Sequence, residues 1–461
     1  MNAPPPAGRG PRILLVDRSG RGHAYAELFT RTHPGLTVLY APGCPAIAHP
    51  GIVSLPELAL DQPLPMVEAA RREGVEYVFV ANAVALTSGF VDVFREHGIP
   101  VVGPDRAAAR LESSKSWTKE LCARWGVPVA EHAWFDDPEA ARDYVRSVPW
   151  PVVVKADGLC GGNGSIVCDD VEDAERAIGR LMVERVFGDA GARVVVERRL
   201  YGREVSFFVL LDGAGGYAML PTAADYPRSD DGNTGMTCGG MGAVSPHPLE
   251  SPALVDAFRA RLLEPIQRLI AGEGLRYSGI LYAGAMLTDE GLYLLEINVR
   301  LGDPEAEAVL PRVEGDFHAA CRAVLAGRLS PAALPVSPLH SCAVTLAQGR
   351  TRQQSRGRNK GWYRGWPYGR YGKGYRITLD PVDPARCRVF LGEAAVHPEK
   401  GLVSDGGRVA HVVGLGATSE EAADVAYRHV GSVRFEGVRY RTDVGRVLPW
   451  VERPAPAQAP A

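Results

Sequence analysis

Four short apolar runs mark the first hundred residues, "RILLVD", "LTVLYA", "YVFVAN" and "IPVVG", and the stretches between them repeat apolar residues every three to four positions. Uninterrupted apolar runs bounded by turns read as strands covered on both faces. Their alternation with helical periods predicts a small parallel α/β unit over 12–104. Further along the period falls to two: "ARVVVERRLYGREVSFFVLL", "GYAMLP", "GILYAGAML" and "LYLLEINVRLGDPE" alternate as half-covered antiparallel strands do. Helical patterns lie around 254–272 and 316–326, a strand–loop–strand spans 150–167, and a β-rich segment begins near 340. The pattern predicts an α/β (α+β) chain in three parts. These are the parallel unit 12–104, a unit of antiparallel sheets and helices over 105–335 that includes a lid at 127–198, and a β-rich unit over 336–452, flanked by disordered tails at 1–11 and 453–461.

Charge narrows the function classes. With 51 Lys and Arg against 54 Asp and Glu, the formal charge of −3 gives no global attraction to nucleic acid or to an anionic membrane. No run approaches the roughly 18 apolar residues of a membrane span, and the opening "MNAPPPAGRG" has no apolar core of a signal peptide, so a cytoplasmic protein is expected. Eight cysteines without CxxC pairs read as reduced thiols; Cys160 and Cys238 sit in glycine loops, where small residues fill tight turns. The segment 349–376 holds nine Lys or Arg, six Trp or Tyr and no acid. Such a mixture can stack and neutralise RNA, but no RNA-binding fold surrounds it, and a lid or oligomer contact that meets an anion is expected.

Candidate chemistry concentrates in a few places. In "LLEINVRLGDPE", Glu296 and Asn298 stand two apart on a strand and share a face, with Arg300 continuing it. Two hard oxygen donors side by side suit a magnesium ion that bridges nucleotide phosphates. Lys155 ends an apolar strand and leads into a glycine-rich loop, 158–164, whose backbone N–H groups can cradle phosphate. The turn "DRSGRGH" opens a helix at Ser19 and Gly20, where one phosphate or carboxylate could be held.

Six motifs in order, "LESSKSWTK", "KADGLCGGNG", "TCGGMGAVSP", "YSGILYAGAML", "EINVRLGDPE" and "SDGGRVAHVVGLG", resemble the phosphoribosylamine–glycine ligase family of the ATP-grasp superfamily, collinearly over nearly the whole chain. The resemblance implies an ATP-grasp fold and an ADP-forming ligase that makes an amide from a small carboxylate and an amine through an acyl phosphate, with ATP and Mg²⁺ (or Mn²⁺). It implies phosphate contacts from Lys115 and Lys155 and from a loop containing Gly158, Gly162, Asn163 and Gly164. It also implies a hinge at Glu197 whose backbone reads adenine, a ribose contact at Glu204, metal ligands at Glu296 and Asn298, and catalytic roles for Lys155 and Arg300. Ser19, Gly20, Asp225, Arg228, Gly240, Arg300, Gly302 and Asp303 would line the substrates. A monomer or homodimer without membrane or nucleic-acid partners is implied as well.

The departures from the family cluster on one side. The family's first loop, G-N-G-G-R-E-H-A, is here "DRSGRGHA", with Asp17 for the leading glycine and Gly22 for the acid; its G-P-E-x-P-L is "ANAVAL"; its D-H-K-R is "DYPR", with Tyr226 and Pro227. On the ATP side only Asn163 departs, standing for a loop lysine. The departures point to a specialised ligase with a changed amine or amino acid. The alternatives are the purine-pathway enzyme itself and, from another class, a weakly active ATP-binding regulator.

Overall fold

The computed structural model describes residues 10–349, 351–352, 362–363 and 365–447. Five parallel strands form the first sheet in the order Ile52–Ser54, Thr37–Pro42, Arg12–Asp17, Tyr77–Val80, Val101–Val102. Alternate residues of its central strand feed two cores: Leu14 and Val16 join one apolar cluster, Ile13 and Leu15 another. The strand order reverses beside Arg12–Asp17, so the crevice at its carboxyl end, where the helix Gly20–Thr32 starts, is the natural ligand edge of such a sheet.

The antiparallel strands form a four-stranded sheet ordered Tyr217–Met219, Arg203–Leu211, Gly279–Thr288, Gly291–Asn298. Its last pairing slips: Gly284 faces Glu296 and Ala285 faces Leu294, which leaves Leu295 as a bulge. A separate sheet, His132–Phe135, Val194–Arg198, Val152–Ala156, Ser165–Val167, is covered by helices Pro138–Ser147 and Val171–Ile178 and has an apolar cluster of its own. The final sheet runs Ala224–Asp225, Gly242–Ser245, His340–Gln348, Arg408–Gly416, Cys387–Leu391. Two of its strands therefore come from well before residue 336, and they carry the loop that holds Asp225 and Gly240 into contact with the β-rich part.

All eight cysteines are free. Burial pushes the Cys238 thiol up to about 11 and also raises that of Cys160, so both stay protonated and are poor nucleophiles. Among the described residues no helix is long and apolar enough to cross a membrane. The tails fall outside the described residues except for Gly10 and Pro11, as does much of the basic aromatic segment 349–376. At its described end, Tyr368 shares a hydrogen bond of 2.6 Å with Ser229, on the hairpin that follows Asp225.

Candidate active site

Lys155 and Glu197 lie diagonally on neighbouring strands, since Val153 faces Glu197 across the ladder, and their side chains share one face. Glu197 Oε1 is 2.9 Å from Lys155, and its Oε2 is 2.9 Å from Lys119 of the helix Lys115–Arg124. All three side chains are buried. The slipped register explains what else holds the lysines: Lys155 donates to the Leu295 carbonyl at 3.2 Å and Lys119 to that of Leu294 at 3.4 Å. Burial pushes the Glu197 carboxyl up, but the two ammonium groups outweigh it and hold it down at about 2. Two cations against one anion leave a net positive charge in a site of low dielectric, which suits phosphate.

Beside them, Asn298 Nδ2 donates to Glu296 Oε1 at 2.9 Å, so the two residues do converge on one face. Arg300, just past the strand end, donates to Asn298 Oδ1 at 3.3 Å and twice to Glu112, at 2.8 and 3.1 Å. The other Glu112 oxygen accepts the Val299 N–H at 2.9 Å. Burial lowers the Lys155 pKa, yet Glu197 first, then Glu296 and Glu204, raise it by more, which keeps the ammonium charged. Glu204 lies exposed at the start of its strand.

The glycine loop is anchored at its first turn. Asp157 accepts the Ser116 N–H at 2.6 Å and the Ser114 hydroxyl at 3.0 Å, while Lys115 Nζ donates to the Gly158 carbonyl at 3.1 Å. Gly162 has φ 82°, and a Cβ there would lie 2.7 Å from the Gly239 Cα. Two glycine loops thus meet over the cleft with backbone against backbone. Asn163 turns back on its own loop and donates to the Gly161 carbonyl at 3.3 Å.

On the opposite side, Asp17 is buried at the end of its strand and saturated with donors. It accepts the N–H groups of Arg18 and Ser19 at 2.7 and 3.2 Å, the Ser19 hydroxyl at 3.3 Å, Asn82 Nδ2 at 3.3 Å and Arg21 Nε at 2.8 Å. The departures in the two loops therefore touch each other through Asn82. Gly22 is packed under Tyr40, whose hydroxyl would collide with any side chain at that position. Asp17 is not a free charge in that turn; Arg21 neutralises it, and it occupies the amides that an anion would use.

Gly240 (φ 102°) lets the chain close on an acid: a Cβ there would sit 2.8 Å from Asp225 Oδ1, an atom that is buried with no hydrogen-bond partner. Burial, then Glu305, raises the Asp225 carboxyl well above its usual range. Glu305 lies against Gly302. Asp303 Oδ1 is 3.1 Å from Arg408, and burial is outweighed there by Arg408, His411 and Arg21, which hold the Asp303 carboxyl low. Gly20 abuts Glu307 and His411. Ser19, Gly20, Asp225, Gly240, Gly302 and Asp303 are therefore joined by these contacts, whereas Arg228 donates to Gly235 O at 3.2 Å within its own hairpin.

One departure lies away from the cleft. Tyr226 does not face a substrate: it is fully buried in the core of the β-rich part, its hydroxyl accepts the Gly445 N–H at 2.8 Å, and Arg441 lies over its ring. Its place next to Asp225 on a strand sends it to the opposite face. Glu197 pairs with His132 on one side and Val153 on the other, one residue before its strand ends at Arg198, and its carboxylate faces the site. Sequence reading missed Lys119, Glu112, Arg21, Arg408, Glu307 and His411. Only Lys119 carried a local signal, four residues after Lys115 on the same helical face.

Comparison with known proteins places the chain. Models of phosphoribosylglycinamide synthetase match over three stretches, its N domain at 11–112, its ATP-grasp (A) domain at 113–306 and its C domain at 363–447. Phosphoribosylamine–glycine ligase of Rhizobium meliloti is 37% identical over 437 residues, covering 94% of this chain and 98% of that protein. The chain belongs to the phosphoribosylamine–glycine ligase family. The Allochromatium vinosum ligase is likewise 37% identical over 439 residues, covering 94% and 98%. The crystal structure of the Thermotoga maritima ligase superposes with a TM-score of 0.78 at 28% identity, over 94% of this chain and 99% of that one. At 17% identity, the biotin carboxylase domain of Hydrogenobacter thermophilus 2-oxoglutarate carboxylase shares the fold, with a TM-score of 0.69 over 94% and 92%. Membership in this ligase family makes the protein an ATP-grasp enzyme that forms C–N bonds.

Proposed function

We propose that the protein joins a carboxylate to an amine at the expense of ATP, and that its substrates are those its relatives are named for, glycine and phosphoribosylamine. The observation that carries the ligase reading is the placement of Lys155, between Glu197 and the Leu295 carbonyl and beside Glu296 and Asn298. A substrate carboxylate attacks the γ-phosphate, ADP departs, and the amine then attacks the acyl phosphate and expels phosphate. Lys115, Lys155 and the 158–164 loop hold the phosphates, and Arg300, steadied by Glu112, faces the transferred group. Glu204 takes the ribose, and closure of the loop against Gly239 keeps water from the anhydride. The carboxylate and amide oxygens of Glu296 and Asn298 are a donor set that fits magnesium, which when bound supplies neutralisation of phosphate charge. No side-chain nucleophile is required. Ser19, Gly20, Asp225, Arg228, Gly240, Gly302 and Asp303 would line the acceptor side, with 127–198 as the lid.

One observation favours a second reading, an amine without a 5′-phosphate: the turn at Asp17 already contains an anion that uses its amides. The two separate in a single assay of ADP and product with ATP, glycine and freshly generated phosphoribosylamine, set beside a panel of unphosphorylated amines. Glycinamide ribonucleotide at about 1 s⁻¹ or faster establishes the first reading. Turnover only with unphosphorylated amines establishes the second, and no ADP with any pair removes both.

A further inference from the structure

Three groups from distant parts of the chain converge at the edge of the acceptor side, where the proposed ligase chemistry assigns no role to two of them, Glu307 and His411. Asp303 precedes and Glu307 lies on the short helix Glu305–Val309, while His411 comes from the strand Arg408–Gly416 of the β-rich part. His411 Nε2 is 3.5 Å from Asp303 Oδ1 and 3.5 Å from Glu307 Oε1, and the three ligand atoms all lie within 4.8 Å of one another. Glu307 is 0% exposed and His411 1%. Both Glu307 oxygens and His411 Nε2 lack any hydrogen-bond partner, and among the described residues no Lys or Arg reaches Glu307 at ion-pair distance. Arg408 is engaged by Asp303 and Arg21 by Asp17, so the two guanidinium groups that act on Glu307 from further off are committed to other acids.

The spacing separates a shared proton from a shared metal. A proton between imidazole and carboxylate would draw N and O to about 2.7–2.9 Å. A tetrahedral metal with bonds near 2.1 Å holds its ligand atoms roughly 3.4 Å apart, close to the two 3.5 Å separations that His411 makes with the acids. His411 Nδ1 lies 3.1 Å from the Thr345 hydroxyl; donation from Nδ1 to that oxygen leaves Nε2 with a free lone pair aimed at the two acids, which is how ligating histidines are usually held. Gly20 completes the cradle, because a side chain there would fill the space against Glu307 Oε1 and the His411 ring.

From this geometry we infer that Asp303, Glu307 and His411 bind a divalent transition metal ion, distinct from the magnesium ascribed to Glu296 and Asn298. An imidazole with two carboxylates selects zinc, manganese or a similar ion over magnesium, which prefers oxygen alone. The ion ties the start of the first helix, the 303–307 turn and the β-rich sheet together, whichever amine is used.

The test uses the full chain, stripped with chelator and then exposed to ZnCl₂ or CoCl₂ without nucleotide, followed by gel filtration and metal analysis. The expected result is about one retained equivalent and, for cobalt, intense visible d–d bands of a tetrahedral site. Glu307→Gln, nearly isosteric, and His411→Ala should each abolish retention, Thr345→Val should weaken it about tenfold, and Glu296→Gln should leave it intact. If His411→Ala fails to fold, Glu307→Gln with an unchanged circular dichroism spectrum decides the matter. Absence of a stoichiometric ion in the wild type overturns the inference, as does equal retention by Glu307→Gln, or loss in Glu296→Gln.

Discussion

The two sides of the cleft solve opposite electrostatic problems. On the side proposed for the nucleotide the buried charges have partners from other elements: Glu197 between Lys119 and Lys155, Glu112 under Arg300. The small positive surplus there is suited to a polyanion. On the acceptor side the carboxylates Asp17, Asp225, Asp303, Glu305 and Glu307 gather around Arg21 and Arg408, and three of them, Asp225, Asp303 and Glu307, have oxygens without a hydrogen-bond partner. A buried charge without a partner is costly, and burial accordingly raises the carboxyls of Asp225, Glu305 and Glu307, which hold protons that a bound cation or amine would displace. The nucleotide side is thus preorganised by the protein, and the acceptor side is completed by what binds to it.

The largest break in this contrast should come from Glu296→Ala, which leaves the phosphate charge unneutralised. ADP formation is expected to fall by about two to three orders of magnitude, on the scale of a lost electrostatic stabiliser, while the far-ultraviolet circular dichroism is unchanged. Near-normal ADP release would show that the pair does not serve the transfer. Next is Glu197→Gln, which strands two buried ammonium groups. Removing one partner of a buried pair costs about 3–5 kcal/mol, so urea denaturation should show a loss of that size together with weaker ATP binding. A change under 1 kcal/mol would mean that solvent reaches the lysines.

The acceptor side responds to smaller changes. Asp17→Gly frees two amides and the Arg21 guanidinium, and should lower the KM for phosphoribosylamine about tenfold, as a gained charge-assisted contact of about 1.5 kcal/mol would, with the ATP KM unmoved. If both constants move together, the two sides are not separable. The smallest effect is expected of Asn163→Lys. A lysine in the glycine loop meets phosphate only when the loop is closed, and an ATP KM lower by about two- to fivefold is anticipated; an unchanged value would assign Asn163 to holding the loop's shape through Gly161.

The contrast also governs what could be read in the sequence. Parallel strands, the Glu296–Asn298 pair and the glycine loop all follow from spacing along one segment, and each lies where that spacing places it. Tyr226 lies in the core although it adjoins Asp225, because one residue of register on a strand decides between core and cleft. The lysine–glutamate–lysine bridge depends on a diagonal strand pair, a separate helix and a bulge, none of which is local. The same holds for His411, which meets Glu307 only through the sheet that carries it.

The 127–198 portion has its own apolar cluster, from Ala141 to Val196. Val127 and Val129 anchor its base in the first core, and what fastens it to the rest near the cleft is polar or backbone contact: Glu197 with Lys119, Lys155 with the Leu295 carbonyl, Gly162 against Gly239; as the proposed lid it would turn about that base without wetting its own cluster. A door with no greasy latch should leave a calorimetric sign. Since apolar burial is what makes the heat-capacity change of binding negative, nucleotide binding here should proceed with a heat-capacity change close to that of the nucleotide's own buried rings, however far the portion travels.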